Sequence, residues 1–111
     1  VSIHCNSAEN RAAQGTETFC YPTSSEGKTL AEMVQRELIS RAGGKDRGVK
    51  HANFQVLRET AMPAILVELA FISNEDEEHK LASPDAQDAY ALAISEGVDT
   101  YLVGRSKERV L

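Results

Sequence analysis

Two residues in this sequence have the type and setting to do chemistry together, His4 and Glu68. Glu68 lies inside Met62-Pro-Ala-Ile-Leu-Val-Glu-Leu-Ala-Phe-Ile-Ser-Asn74, where Ala64 to Phe71 is otherwise apolar. Such a run reads as a strand buried on both faces of a sheet. An ionised carboxylate there costs several kcal/mol, or takes up a proton, unless something compensates it. A cation or a proton-transfer task at an open strand end is one such compensation. His4 lies in the opening strand Ser2 to Asn6, with Ile3 and Cys5 on one face and the imidazole on the other. A neutral imidazole is a common zinc ligand, and a carboxylate beside it can accept a proton from a metal-activated water. Taken singly each signal is weak, because a lone strand histidine is more often structural than a ligand.

The elements that must position this pair follow from pattern. Thr16 to Tyr21 alternates polar and apolar residues and predicts a second strand, ended by Pro22. Thr23-x-x-Glu26 is a capping-box pattern, and Leu30, Met33, Val34, Leu38 and Ala42 follow at helical spacing until Gly43-Gly44. Lys45 to Lys50 reads as a polar loop and Asn53 to Arg58 as a third strand. Asn74-x-x-Glu77 starts a short helix, with Glu75-Asp-Glu-Glu78 as first-turn acid facing its dipole. Ser83-Pro84 opens a last helix with Tyr90, Ala93, Ile94, Gly97, Tyr101 and Leu102 on one side, ending at Gly104. Strands separated by helices predict a single layered α/β domain, its central sheet mostly parallel and flanked by helices. In such sheets ligands sit beyond the carboxyl ends of the strands, so parallel strands would turn His4 and Glu68 into one crevice.

Composition narrows the partners. Net charge is −5, which argues against nucleic acid, since phosphate binding needs a basic face. No apolar run reaches membrane-spanning length. Cys5 and Cys20 fall in strands expected to be neighbours and read as small buried thiols rather than a disulfide framework. Lys45, Arg47 and Lys50 fit a solvated loop about as well as contacts to an anionic peptide group. Asn6 is a candidate for orienting substrate or supporting His4, while Tyr90 and Tyr101 read as core.

Taken in order, Ser2-Ile-His-Cys-Asn-Ser-Ala8, Gly15-Thr-Glu-Thr-Phe19, Arg47-Gly-Val-Lys50, Asn53-Phe-x-Val-Leu-Arg58 and the Met62–Asn74 run form one spaced pattern. It resembles the catalytic domain of zinc-dependent N-acetylmuramoyl-L-alanine amidases, bacterial cell-wall hydrolases that include autolysins. The resemblance implies one catalytic Zn²⁺, with His4 matching the last of three metal ligands and Glu68 the catalytic glutamate. It implies hydrolysis of the amide between the lactyl group of N-acetylmuramic acid and L-alanine in peptidoglycan. The family's other two ligands precede the first matched block, and His51 and His79 match neither; both read as surface residues. The opening Val1-Ser-Ile-His reads as a strand already under way. The expectation is therefore the C-terminal portion of an amidase domain over residues 1–103, with 104–111 a charged tail or linker. The resemblance implies that the N-terminal part of the domain lies upstream and that the full protein carries a separate wall-binding module. The place of action implied is extracellular, at the cell wall, or the mother-cell compartment if the role is in sporulation. A related zinc carboxypeptidase or aminopeptidase, or a wall-binding module without metal, are the competing readings.

Overall fold

A computed structural model describes residues 1–110, with side chains described for 1–106. The chain forms strands β1 (Ser2–Asn6), β2 (Thr16–Cys20), β3 (Asp46–His51) and β4 (Ile65–Phe71). Its helices are α1 (Ser25–Ala42), α2 (Gln55–Arg58), α3 (Glu75–Leu81) and α4 (Pro84–Val110). The sheet order is β1-β4-β2-β3. The apolar strand β4 is thus internal, as its sequence requires, paired parallel to β1 and antiparallel to β2. β3 lies parallel to β2 at the other edge, so the sheet is mixed, with two parallel pairings and one antiparallel.

Alternation divides the sheet into two chemically different faces. Cys20, Ile65 and Val67 join Leu30, Ala31, Val34 and Leu38 of α1 and Tyr90, Ala93, Ile94 and Tyr101 of α4 in one core. Both long helices therefore cover the same face. They cross closely at Gly97, where an added Cβ would lie 2.7 Å from Val34 Cα. Buried Gln35 fastens α1 to the sheet: its amide nitrogen donates to Thr16 O and Asp46 Oδ1, each at 2.8 Å, and its oxygen accepts from the Thr18 hydroxyl at 2.9 Å. Among the described residues no helix is long and apolar enough to cross a membrane.

Several expectations need correction. The N-cap of α1 is Ser24, not Thr23; its hydroxyl accepts from Gly27 N at 2.9 Å. Residues Lys45–Lys50 are not a loop but mostly β3, whose polar composition reflects an edge strand with incomplete cover. Asn53–Arg58 is not a strand: it holds the single turn α2, which buries Leu57 and sets the Phe54 ring edge-on to Phe19 at 5.3 Å. Its alternation was misleading because β3 already occupies the neighbouring edge of β2. Cys5 and Cys20 are not on neighbouring strands, since β4 lies between β1 and β2. Cys20 is buried, which pushes its thiol pKa up, whereas Cys5 is exposed. Leu102 is 49% exposed rather than core, and α4 runs through Gly104 to Val110. That continuity is possible because one helical glycine costs only about 1 kcal/mol. Leu111 and the side chains of 107–110, which the charged-tail assignment includes, lie outside the described residues.

Candidate functional site

His4 and Glu68 are direct partners in the parallel β1–β4 ladder. Partnered residues on adjacent strands project to the same side, so imidazole and carboxylate stand together on the face that α1 and α4 leave uncovered. The next residues, Ile3, Cys5 and Leu69, point the other way and line an apolar groove with Tyr90 and Ile94. The register shifts just beyond His4, between His4 and Asn6, a local break that re-aims side chains at the strand end.

Glu68 Oε2 is buried and has no hydrogen-bond partner among the described residues. Burial raises the pKa of this carboxyl; His4 pulls it back and Glu17 adds to the rise, and the net direction is upward. A carboxylate so placed holds a proton more readily than one in water, which suits a group that must accept one and give it back. His4 is exposed, and its Nε2 lies 2.7 Å from Ser2 Oγ. In the tautomer that donates from Nε2–H to Ser2, Nδ1 carries the lone pair a metal ion needs.

Sequence reasoning did not single out Glu17. It is the Cα partner of Glu68 across the antiparallel β2–β4 ladder and is only 5% exposed. Its Oε2 accepts from Arg47 Nε at 2.9 Å and from Lys50 Nζ, and its Oε1 from Asn6 Nδ2 at 3.1 Å. Burial alone would raise its pKa, but the hydrogen bonds and charges of Lys50 and Arg47 outweigh that and hold it below the ordinary value. The uncovered face therefore carries one polar row: His4, Glu68, Glu17, then Arg47 and Lys50. Asn6 supports this row through Glu17 rather than through His4. The signal for Glu17 was a carboxylate opposite in phase to Thr16, Thr18 and Cys20. With Arg47 and Lys50 read as loop residues, that phase has no partner to point to.

The remaining candidates separate cleanly. His51 and His79 are both exposed, in keeping with surface roles, although His51 ends β3 rather than lying in a loop; its Nδ1 is 3.8 Å from Cys20 Sγ. Asn74 caps α3 by accepting from Glu77 N at 3.1 Å, as its spacing predicts. Glu77 is not merely first-turn acid. It is buried, and its carboxylate accepts from Gly15 N at 3.0 Å and Phe71 N at 2.8 Å, locking the loop before β2 onto the end of β4. Among the described residues no three His, Cys, Asp or Glu side chains converge to hold a metal ion. Among the described residues the site thus brings together one imidazole and one part-buried carboxylate, fewer donors than a metal ion needs.

The family model for N-acetylmuramoyl-L-alanine amidase matches residues 1–100, almost the entire chain and all of the row just described. The chain belongs to the N-acetylmuramoyl-L-alanine amidase family. Among curated amidases it is similar to LytC of Bacillus subtilis, 39% identical over 103 residues that cover 91% of this chain and 21% of that protein. Among solved amidases it superposes on the enzyme from Clostridium difficile 630 with a TM-score of 0.88 and 41% identity, covering 91% of this chain and 55% of that one. The catalytic domain of CwlV from Bacillus (Paenibacillus) polymyxa var. colistinus gives a TM-score of 0.85 at 40% identity, with 91% and 55% covered. The chain thus spans about half the length of the solved amidases it matches.

Proposed function

We propose that this chain supplies the proton-transfer residue and one metal ligand of a peptidoglycan amidase. The reaction is hydrolysis of the amide between the lactyl group of N-acetylmuramic acid and L-alanine of the stem peptide. The observation that carries the reading is the register of His4 with Glu68 on the uncovered face of a sheet that matches the amidase family. The burial and unpartnered Oε2 of Glu68 support it as a general base.

His4 would hold a Zn²⁺ ion together with two ligands from the part of the family fold that this chain does not span. When bound, zinc supplies Lewis-acid polarisation of the scissile carbonyl and lowers the pKa of an attacking water. Glu68, with one oxygen buried and the residue only partly covered, would take a proton from the attacking water on its outer oxygen. It then returns the proton to the alanine nitrogen as the carbon–nitrogen bond breaks, so the leaving group departs as a neutral amine. Ser2, hydrogen-bonded to Nε2, fixes the His4 ring, and Nδ1 would be the nitrogen left for the ion. The polymer is the partner, met outside the cell or in the wall. A separate wall-binding module is consistent with the 21% of LytC that this chain covers.

The test uses a protein that spans the whole family domain, loaded with zinc and incubated with purified peptidoglycan. New N-terminal alanine is the expected product, and Glu68→Gln should cut its rate by at least ~10³-fold, a group-specific loss for a general base that also reprotonates the leaving group. Cleavage at peptide bonds instead would identify a peptidase, and Glu68→Gln with undiminished lysis would remove Glu68 from the chemistry.

A further inference from the structure

Resting on the amidase reading, we propose that Lys50 and Arg47, gathered on Glu17 beside Glu68, form a subsite for a carboxylate carried by the residue that follows the stem-peptide alanine. The chain is acidic overall, at −5, yet on the reacting face two cations converge on one buried carboxylate. Their roles differ. Arg47 is fixed: it donates to Glu17 and to Gln14 O at 3.3 Å, and its guanidinium lies over the Phe71 ring, 4.9 Å from the centroid. Lys50 is the outward member, its side chain 42% exposed while that of Glu17 is 6% exposed. An ammonium has three donors, and Glu17 engages one, so Lys50 can bind a second anion without releasing the first. The paired Arg47 and Glu17 hold it in place, which lowers the entropy lost on binding.

The position fits the reach of the substrate. Glu17 is the partner of Glu68 on the adjacent strand, and neighbouring strands lie about 4.8 Å apart. One residue of extended peptide spans about 3.3–3.6 Å. A stem peptide that runs from Glu68 toward β2 carries an acidic group on the residue after alanine over Glu17, where the ammonium of Lys50 is held. A neutral carboxamide there would forgo the charge-assisted hydrogen bond and keep only an ordinary one.

The experiment uses zinc-loaded protein spanning the whole family domain. Two N-acetylmuramoyl-L-alanyl peptides serve as probes, identical except that the second residue carries either a free carboxylate or its carboxamide. The readout is the ratio of their kcat/KM values. Wild type should favour the carboxylate by about 10-fold, the size of one charge-assisted contact. In Lys50→Met the ratio should fall toward one, Lys50→Arg should restore it, and added salt should reduce it in wild type. A wild-type ratio near one, or a ratio unchanged in Lys50→Met, would overturn the subsite while leaving the amidase reading intact. Cleavage of neither probe by wild type would overturn the amidase reading and the subsite with it.

Discussion

Glu17 and Glu68 face each other across β2 and β4, and the structure requires their removal to have opposite effects on stability. Glu17 is buried and bonded to Asn6, Arg47 and Lys50. Glu17→Gln removes the charge that both cations share. Because Arg47 and Lys50 are 29% and 42% exposed, water recovers part of their solvation. The loss should then lie near the range for charge-assisted hydrogen bonds, about 1.5–3 kcal/mol, rather than that of a fully buried pair. Glu68 bears a part-buried charge with an unpartnered oxygen, so Glu68→Gln relieves desolvation and should gain about 1 kcal/mol. For a domain of this size 1 kcal/mol is worth roughly 4–8 °C in Tm. At pH 7 the two variants should therefore fall on either side of wild type.

Acid should erase both differences, in opposite directions. Glu17 has a lowered native pKa, so its stabilisation is complete above the ordinary value of 4.5 and is lost as pH falls through the native one. Glu68 has a raised native pKa, so its cost is complete above that value and disappears as pH falls below 4.5. Urea unfolding of wild type, both single variants and the double variant, at pH 7 and at lower pH, reads these signs. In the double variant the gain from Glu68→Gln should shrink, because the like charge opposite is gone and two cations are freed beside Glu68. If Glu68→Gln proves as destabilising as Glu17→Gln, the carboxylate has a partner in solution and the account of it as a poised base fails.

Three further outcomes follow from packing and hydrogen bonding. Gly97→Ala places a methyl 2.7 Å from the Val34 backbone and must push α4 off α1, at a cost of about 1–3 kcal/mol read by thermal unfolding. An unchanged Tm would mean the helices are less closely packed. Glu77→Ala strips the acceptor from the Gly15 and Phe71 amides, which should cost about 2–3 kcal/mol and speed hydrogen exchange at those two positions. Exchange rates equal to wild type would show that the loop before β2 is held by other contacts. Cys5 should react with a thiol reagent in the native state, and Cys20 only after unfolding, because burial both shields its thiol and raises its pKa; two equally fast thiols would contradict the placement of β2.

Where local pattern and tertiary demand agree, the sequence alone was decisive. The apolar run from Ala64 to Phe71 could only be an internal strand, Asn74 and Ser83-Pro84 announced their helices, and an isolated carboxylate in hydrocarbon marked Glu68. Parallel strands were expected to bring His4 beside it, and the ladder register does so. What the chain could not disclose locally was the identity of neighbours. Strand order places β4 between β1 and β2, and so separates Cys5 from Cys20 while bringing Glu17 opposite Glu68. A polar hexapeptide such as Asp46–His51 becomes a strand because β2 offers an unpaired edge, not because its residues favour extension. An alternating stretch, Asn53–Arg58, becomes a helical turn because no such edge remains. Hydrogen-bonding partners distant in sequence settle these cases, and only the folded sheet decides which partners are present.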